Sequence, residues 1–96
     1  MDKGIAKCMD NMAVALKSTR EGIDTLRPYK NRRTAIDGTK YDDDVIEVTY
    51  ENGKTIYVNI NCDSNIAAMY DVMSVLMDYK NPIDPKCIEE LVPVYD

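Results

Sequence analysis

No histidine, phenylalanine or tryptophan occurs in these 96 residues. Without histidine the chain lacks the commonest catalytic base near neutral pH and the commonest metal ligand. A serine or cysteine nucleophile would have to find its base among Lys, Asp and Glu. Neither a Gly-x-Ser-x-Gly nor a Ser-x-x-Lys stretch is present to suggest one. Glycine is scarce as well: Gly4, Gly22, Gly38 and Gly53 stand far apart, so no run of backbone N–H groups offers a phosphate cradle. The three cysteines, Cys8, Cys62 and Cys87, are odd in number, widely spaced and without a Cys-x-x-Cys. They read as reduced thiols of a cytosolic protein, and with no histidine beside them they complete no zinc site. No apolar run reaches the roughly 18 residues of a membrane span, and none resembles a signal peptide. The expectation is therefore a soluble, cytoplasmic protein that is not an enzyme and holds neither cofactor nor metal.

Each part of the chain is short of one sign of charge. Up to residue 41 there are nine Lys or Arg against five Asp or Glu; from residue 42 onward there are three against twelve. The break falls at Asp42-Asp43-Asp44, and the overall balance is −5. A divided field of this kind bears on partners rather than on chemistry. Hydrophobic residues make up 45%, enough for a core in one domain spanning 1–96. All the aromatics are tyrosine (29, 41, 50, 57, 70, 79 and 95), so the core volume must come from Ile, Val, Leu and six Met.

Periodicity predicts a helix over 4–21, with Ile5, Cys8, Met9, Met12, Ala13 and Leu16 on one face and Lys7, Asp10, Lys17 and Glu21 on the other. The rhythm continues to Ile23 and Leu26, and Pro28 sets its limit. Residues 27–44 have no strong period; Asp37-Gly38 marks a turn, with a short strand expected near 33–36 or 39–41. Residues 45–60 form the clearest element, a β-hairpin. Its two strands agree about which face is apolar only if the loop is Glu51-Asn52-Gly53. Val48 then lies opposite Ile56 and Ile46 opposite Val58, with Gly53 left-handed. A second helix is predicted over 64–79, capped by Asp63 or Ser64. Its stripe of Ile66, Met69, Tyr70, Met73, Leu76 and Met77, widened by Val72, Val75 and Tyr79, leaves only Ser64, Asp71, Ser74 and Asp78 on a narrow polar line. Such a helix is buried on most sides, in the core or against a second copy. A short third helix is expected at 85–91, with Asp84 as cap and Pro85 first. The fold class is α+β: helices on a small antiparallel sheet.

Three clusters are candidates for function. Asp42, Asp43, Asp44 and Glu47 could hold a cation, although the spacing of a calcium loop is absent and a solvated acidic turn is the plainer reading. Arg27, Tyr29, Lys30, Arg32 and Arg33 could contact nucleic acid by stacking and phosphate pairing, or pair internally with the acidic half. The acidic half itself, displayed on a rigid scaffold, could occupy a basic groove on another protein, with affinity that falls as salt rises. Asp42, Asp43, Asp44, Glu47, Glu51 and Tyr57 are the residues expected to carry that contact. The Met69, Met73 and Met77 stripe is expected to fill the core.

A leading helix, a small sheet with an Asn-Gly hairpin (YENGK), an acid-capped helix (CDSNI) and an acidic surface together resemble some small anti-CRISPR proteins of phages. The resemblance is one of element order and composition. It implies a non-enzymatic inhibitor that fills the nucleic-acid site of a partner such as a CRISPR nuclease. The alternative expectation is a self-associating scaffold, or a small-ligand sponge, working through helix 64–79. Direct nucleic-acid binding through 27–33 ranks third.

Overall fold

A computed structural model describes residues 1–19, 22–61 and 63–95. Its elements are α1 (Ile5–Lys17), β1 (Ile23–Thr34), β2 (Lys40–Tyr50), β3 (Thr55–Asn59), α2 (Asn65–Leu76), a 3-10 turn (Pro85–Cys87) and β4 (Glu90–Pro93). The strands form one antiparallel sheet in the order β3-β2-β1-β4. The fold is α+β, as the sequence predicts.

The hairpin of β2 and β3 has the register that the apolar pattern selects. Val48 faces Ile56, Ile46 faces Val58 and Glu47 faces Tyr57. Gly53 sits at φ 90°, and the loop closes through Tyr50 N–H donating to the Lys54 carbonyl at 2.8 Å. A side chain at that φ would be strained, which is why glycine stands there.

Residues 23–44 correct the sequence reading. They form a second, longer hairpin, with Leu26 opposite Val48, Lys30 opposite Asp44 and Thr34 opposite Lys40. Ile23 and Leu26 look helical because they are three apart. A register shift between Ile23 and Thr25 inserts one extra residue, so both side chains still reach the core from a strand. Pro28 breaks no ladder bond to β2. Its carbonyl accepts from Val94 N–H, so its missing N–H also lies on the outer side. Helix α1 accordingly stops at Lys17 rather than running to 21; Glu21, expected on its polar face, lies outside the described residues, and Lys17 Nζ lies 3.5 Å from Asp24 Oδ1.

The short C-terminal helix expected at 85–91 is present as a 3-10 turn over Pro85–Cys87, shorter than expected. Asp84 does cap Pro85, accepting from Lys86 N–H at 3.0 Å, but only one 3-10 turn follows. Leu91 and Val92 then join β4 beside β1, and Pro93 is tolerated because β4 is an edge strand.

Helices α1 and α2 cover one face of the sheet. Ile5, Met9, Met12 and Leu16 from α1 meet Leu26, Ile46, Val48 and Val58 from the sheet, and Ala68, Val72 and Val75 from α2. The opposite face is covered at one end by residues 80–89. Lys80 Nζ donates to Asn59 O at 3.0 Å, and Ile83 N–H to Tyr57 O at 2.8 Å. Asn31, 2% exposed, donates to Cys87 O and accepts from Glu89 N–H, both at 2.9 Å. That clamp holds the crossing segment down and buries Val45 completely.

Candidate functional site

The acidic and basic clusters come together at the far end of the β1–β2 hairpin, and they neutralise each other. Lys30 Nζ bonds to Asp44 Oδ1, and the Met1 ammonium lies 2.8 Å from Asp44 Oδ2. Arg32 Nε donates to Asp42 Oδ1 at 3.0 Å, and Arg33 Nη1 to Asp43 Oδ2 at 3.2 Å. Arg33 also stacks over Tyr41 at 5.5 Å and lies 3.5 Å from Glu89. The antiparallel register causes this directly, because it sets the basic half of β1 against the acidic half of β2.

Local electrostatics follow from the pairing. Burial pushes the Asp44 carboxyl up, but Lys30 and the terminal ammonium outweigh it, so its pKa lies below the ordinary aspartate value. Arg32 lowers the pKa of Asp42 in the same direction. Hydrogen bonding to Asp44 raises the Lys30 pKa.

The residues expected to form one docking surface therefore do not. Alternation along β2 puts Asp42 and Asp44 on the helix side, and Asp43 and Glu47 on the opposite side. Glu47 accepts from the Tyr57 hydroxyl at 3.3 Å; burial first, then that carboxylate, raises the Tyr57 pKa. Glu51 stands apart in the β2–β3 turn. The cation reading meets the same division, and among the described residues no group of three or more His, Cys, Asp or Glu is placed to hold a metal ion. Lys30 and Arg32 likewise lie on one side of the sheet, and Arg27, Tyr29 and Arg33 on the other. These five residues therefore do not share one face of the sheet. Cys62 lies outside the described residues; Cys8 and Cys87 are free thiols.

Helix α2 presents apolar rather than charged side chains to solvent. Ser64 caps it, its hydroxyl accepting from Ala67 N–H at 3.1 Å. It ends at Leu76 rather than at 79: Asp78 is left-handed at φ 62°, and Tyr79 N–H closes back on Ser74 O at 2.8 Å. The helix buries Ala68, Val72 and Val75. These are its small residues, and they let it lie close over β3. Four of the six residues of the stripe expected in the core face out instead: Ile66 is 80% exposed, Tyr70 74%, Met77 53% and Met69 37%. Met73 and Leu76, as expected, pack against the core, each half-buried. The one charged residue of the helix, Asp71, lies off this crest, 3.4 Å from Lys80 Nζ and 3.4 Å from Asn61 N. Sequence reasoning took the larger stripe for the buried one. The spacing of Ala68, Val72 and Val75 at i, i+4 and i+7 was the signal for the other side.

Beside the crest runs a groove of about 490 Å³ between the two helices, lined by Cys8, Asn11, Met12, Ala15 and Met69 together with Gly4 and Lys7. The helices touch at their N-terminal ends, where Asn65 Nδ2 donates to Lys3 O at 3.1 Å. No helix among the described residues is long and apolar enough to cross a membrane. No family model, curated protein or solved structure matches the chain.

Proposed function

We propose that this protein is a non-enzymatic module that acts by self-association through the outer face of α2. One observation carries the reading: α2 buries its small apolar residues and turns Ile66, Met69, Tyr70 and Met77 to solvent. A contiguous apolar patch of that kind calls for a covering surface.

A second copy is the covering surface we propose: the crest residues carry no charge, so two copies can appose them without burying one. The −5 carried by each copy opposes the association, and added salt relieves that repulsion. Reading the protein as an acidic inhibitor of a basic partner rested on free carboxylates at Asp42, Asp43 and Asp44. Each of these now has a basic partner within the same molecule.

Sedimentation equilibrium over a range of concentrations tests the proposal. The expected result is a dimer whose stability is not reduced by added salt, because apolar burial drives it. Tyr70→Glu is expected to weaken the dimer by at least about thirtyfold, the scale of a 2 kcal/mol interface hot spot. A wild-type chain that stays monomeric at every concentration rejects the reading.

A further inference from the structure

We infer that the two copies pack with their α2 helices parallel, each Tyr70 seated in the α1–α2 groove of the other. This rests on self-association through α2 and adds its geometry.

Ile66 and Met77, which the 100° helical step brings nearly into line, mark the midline of the crest. The same step puts Met69 on one side of the crest and Tyr70 on the other. Met69 lines the groove, so the groove lies on the Met69 side. Tyr70 stands on the side away from α1, toward Ser74 and Asp71. Each copy thus carries a hole on one flank of the crest and an exposed aromatic on the other.

Two copies meeting face to face through the same patch are related by a two-fold axis in the contact plane. An axis running across α2 makes the helices antiparallel and sets like flanks together: groove against groove and Tyr70 against Tyr70. An axis running along α2 makes the helices parallel and exchanges the flanks. Every Tyr70 then faces a groove, and every crest residue faces its own counterpart. Only the second arrangement fills the groove. Its lining suits a phenol: Met12, Ala15, Met69 and the half-buried Cys8 offer apolar contact to the ring. Asn11 on the same wall offers an amide to the hydroxyl, which a covered tyrosine requires.

Two experiments separate this geometry from self-association alone. Ala15→Trp fills the groove from an exposed position on α1 without touching the crest. It is expected to weaken the wild-type dimer by at least about thirtyfold, as loss of a central anchor does. Unchanged association overturns the Tyr70 seat while leaving self-association in place, whereas a monomeric wild type removes both. The second experiment places Ile66→Cys or Met77→Cys in a chain whose own cysteines are replaced by alanine. Under mild oxidation each variant alone is expected to form a covalent dimer, since parallel helices bring both ends of the crest onto their own counterparts. A covalent dimer that forms only when the two variants are mixed means antiparallel helices and overturns the proposal.

Discussion

The distal end of the β1–β2 hairpin and the crest of α2 are opposite answers to one problem. The hairpin end concentrates charge, and the fold neutralises it there: Lys30 with Asp44, Arg32 with Asp42, Arg33 with Asp43. The crest concentrates apolar surface, and the fold leaves it uncovered. Charge density along a sequence is therefore a poor guide to a docking surface when strand register can pair the two signs. Uncovered apolar area survives the fold as a demand for a partner.

The sharpest way to separate the two sides of the helix layer is to truncate one residue from each. Leu26, fully buried beneath α1, is expected to cost about 2–5 kcal/mol on Leu26→Ala, from lost burial plus the cavity left behind. Ile66→Ala removes a similar volume from the crest and is expected to change monomer stability by no more than about 0.5 kcal/mol. Urea unfolding at concentrations low enough to keep the chain monomeric measures both. A large loss from Ile66→Ala would mean that the crest belongs to the core and would end the comparison.

Within the hairpin end, Asp44 is the deepest member, its side chain 15% exposed between two cations. Asp44→Asn leaves Lys30 without its counter-charge and the Met1 ammonium with only the exposed Asp63, 3.9 Å away, and is expected to cost about 1–3 kcal/mol. The pH dependence has a definite sign. The Asp44 pKa is lower in the folded than in the unfolded chain, so the unfolded chain takes up the proton first as pH falls. Its stabilisation is complete above the ordinary aspartate value of about 4 and is lost as pH drops through the lower folded value. A urea series from pH 6 to pH 2 should show that acid slope in the wild type and a shallower one in Asp44→Asn. Equal slopes would move the acid sensitivity away from this pair.

How much of this was legible beforehand depends on which side chains spoke for themselves. The β2–β3 hairpin was legible to the residue, because only one loop length puts Ile46, Val48, Ile56 and Val58 on one face. The β1 strand was not. Its bulge gives Ile23 and Leu26 a helical spacing, and its outer half is built of Lys, Asn and Arg whose partners lie across the turn. The α2 helix was legible as a helix and misread in orientation, because two apolar stripes compete and hydrophobicity favours the larger one. Burial followed closeness of approach, which favours Ala68, Val72 and Val75. Pairing among charges ten or more residues apart has no local signature. The basic and acidic clusters were visible in the sequence, but the register that joins them belongs to the sheet.

The smallest effects are expected at the outer pairs, and they complete the contrast. Arg32 and Asp42 are both substantially exposed, so the attraction between them is screened by water and salt. Arg32→Ala is expected to leave a thermal melt within its experimental error, and 0.5 M sodium chloride is expected to erase whatever difference remains. The same salt should leave the proposed self-association through α2 intact, since apolar contact does not weaken on screening. Measuring both responses on one sample asks which region holds copies together. If salt dissolved the dimer while the melt stayed put, the ion pairs at the hairpin end would be trading partners between molecules, and the crest would lose its role.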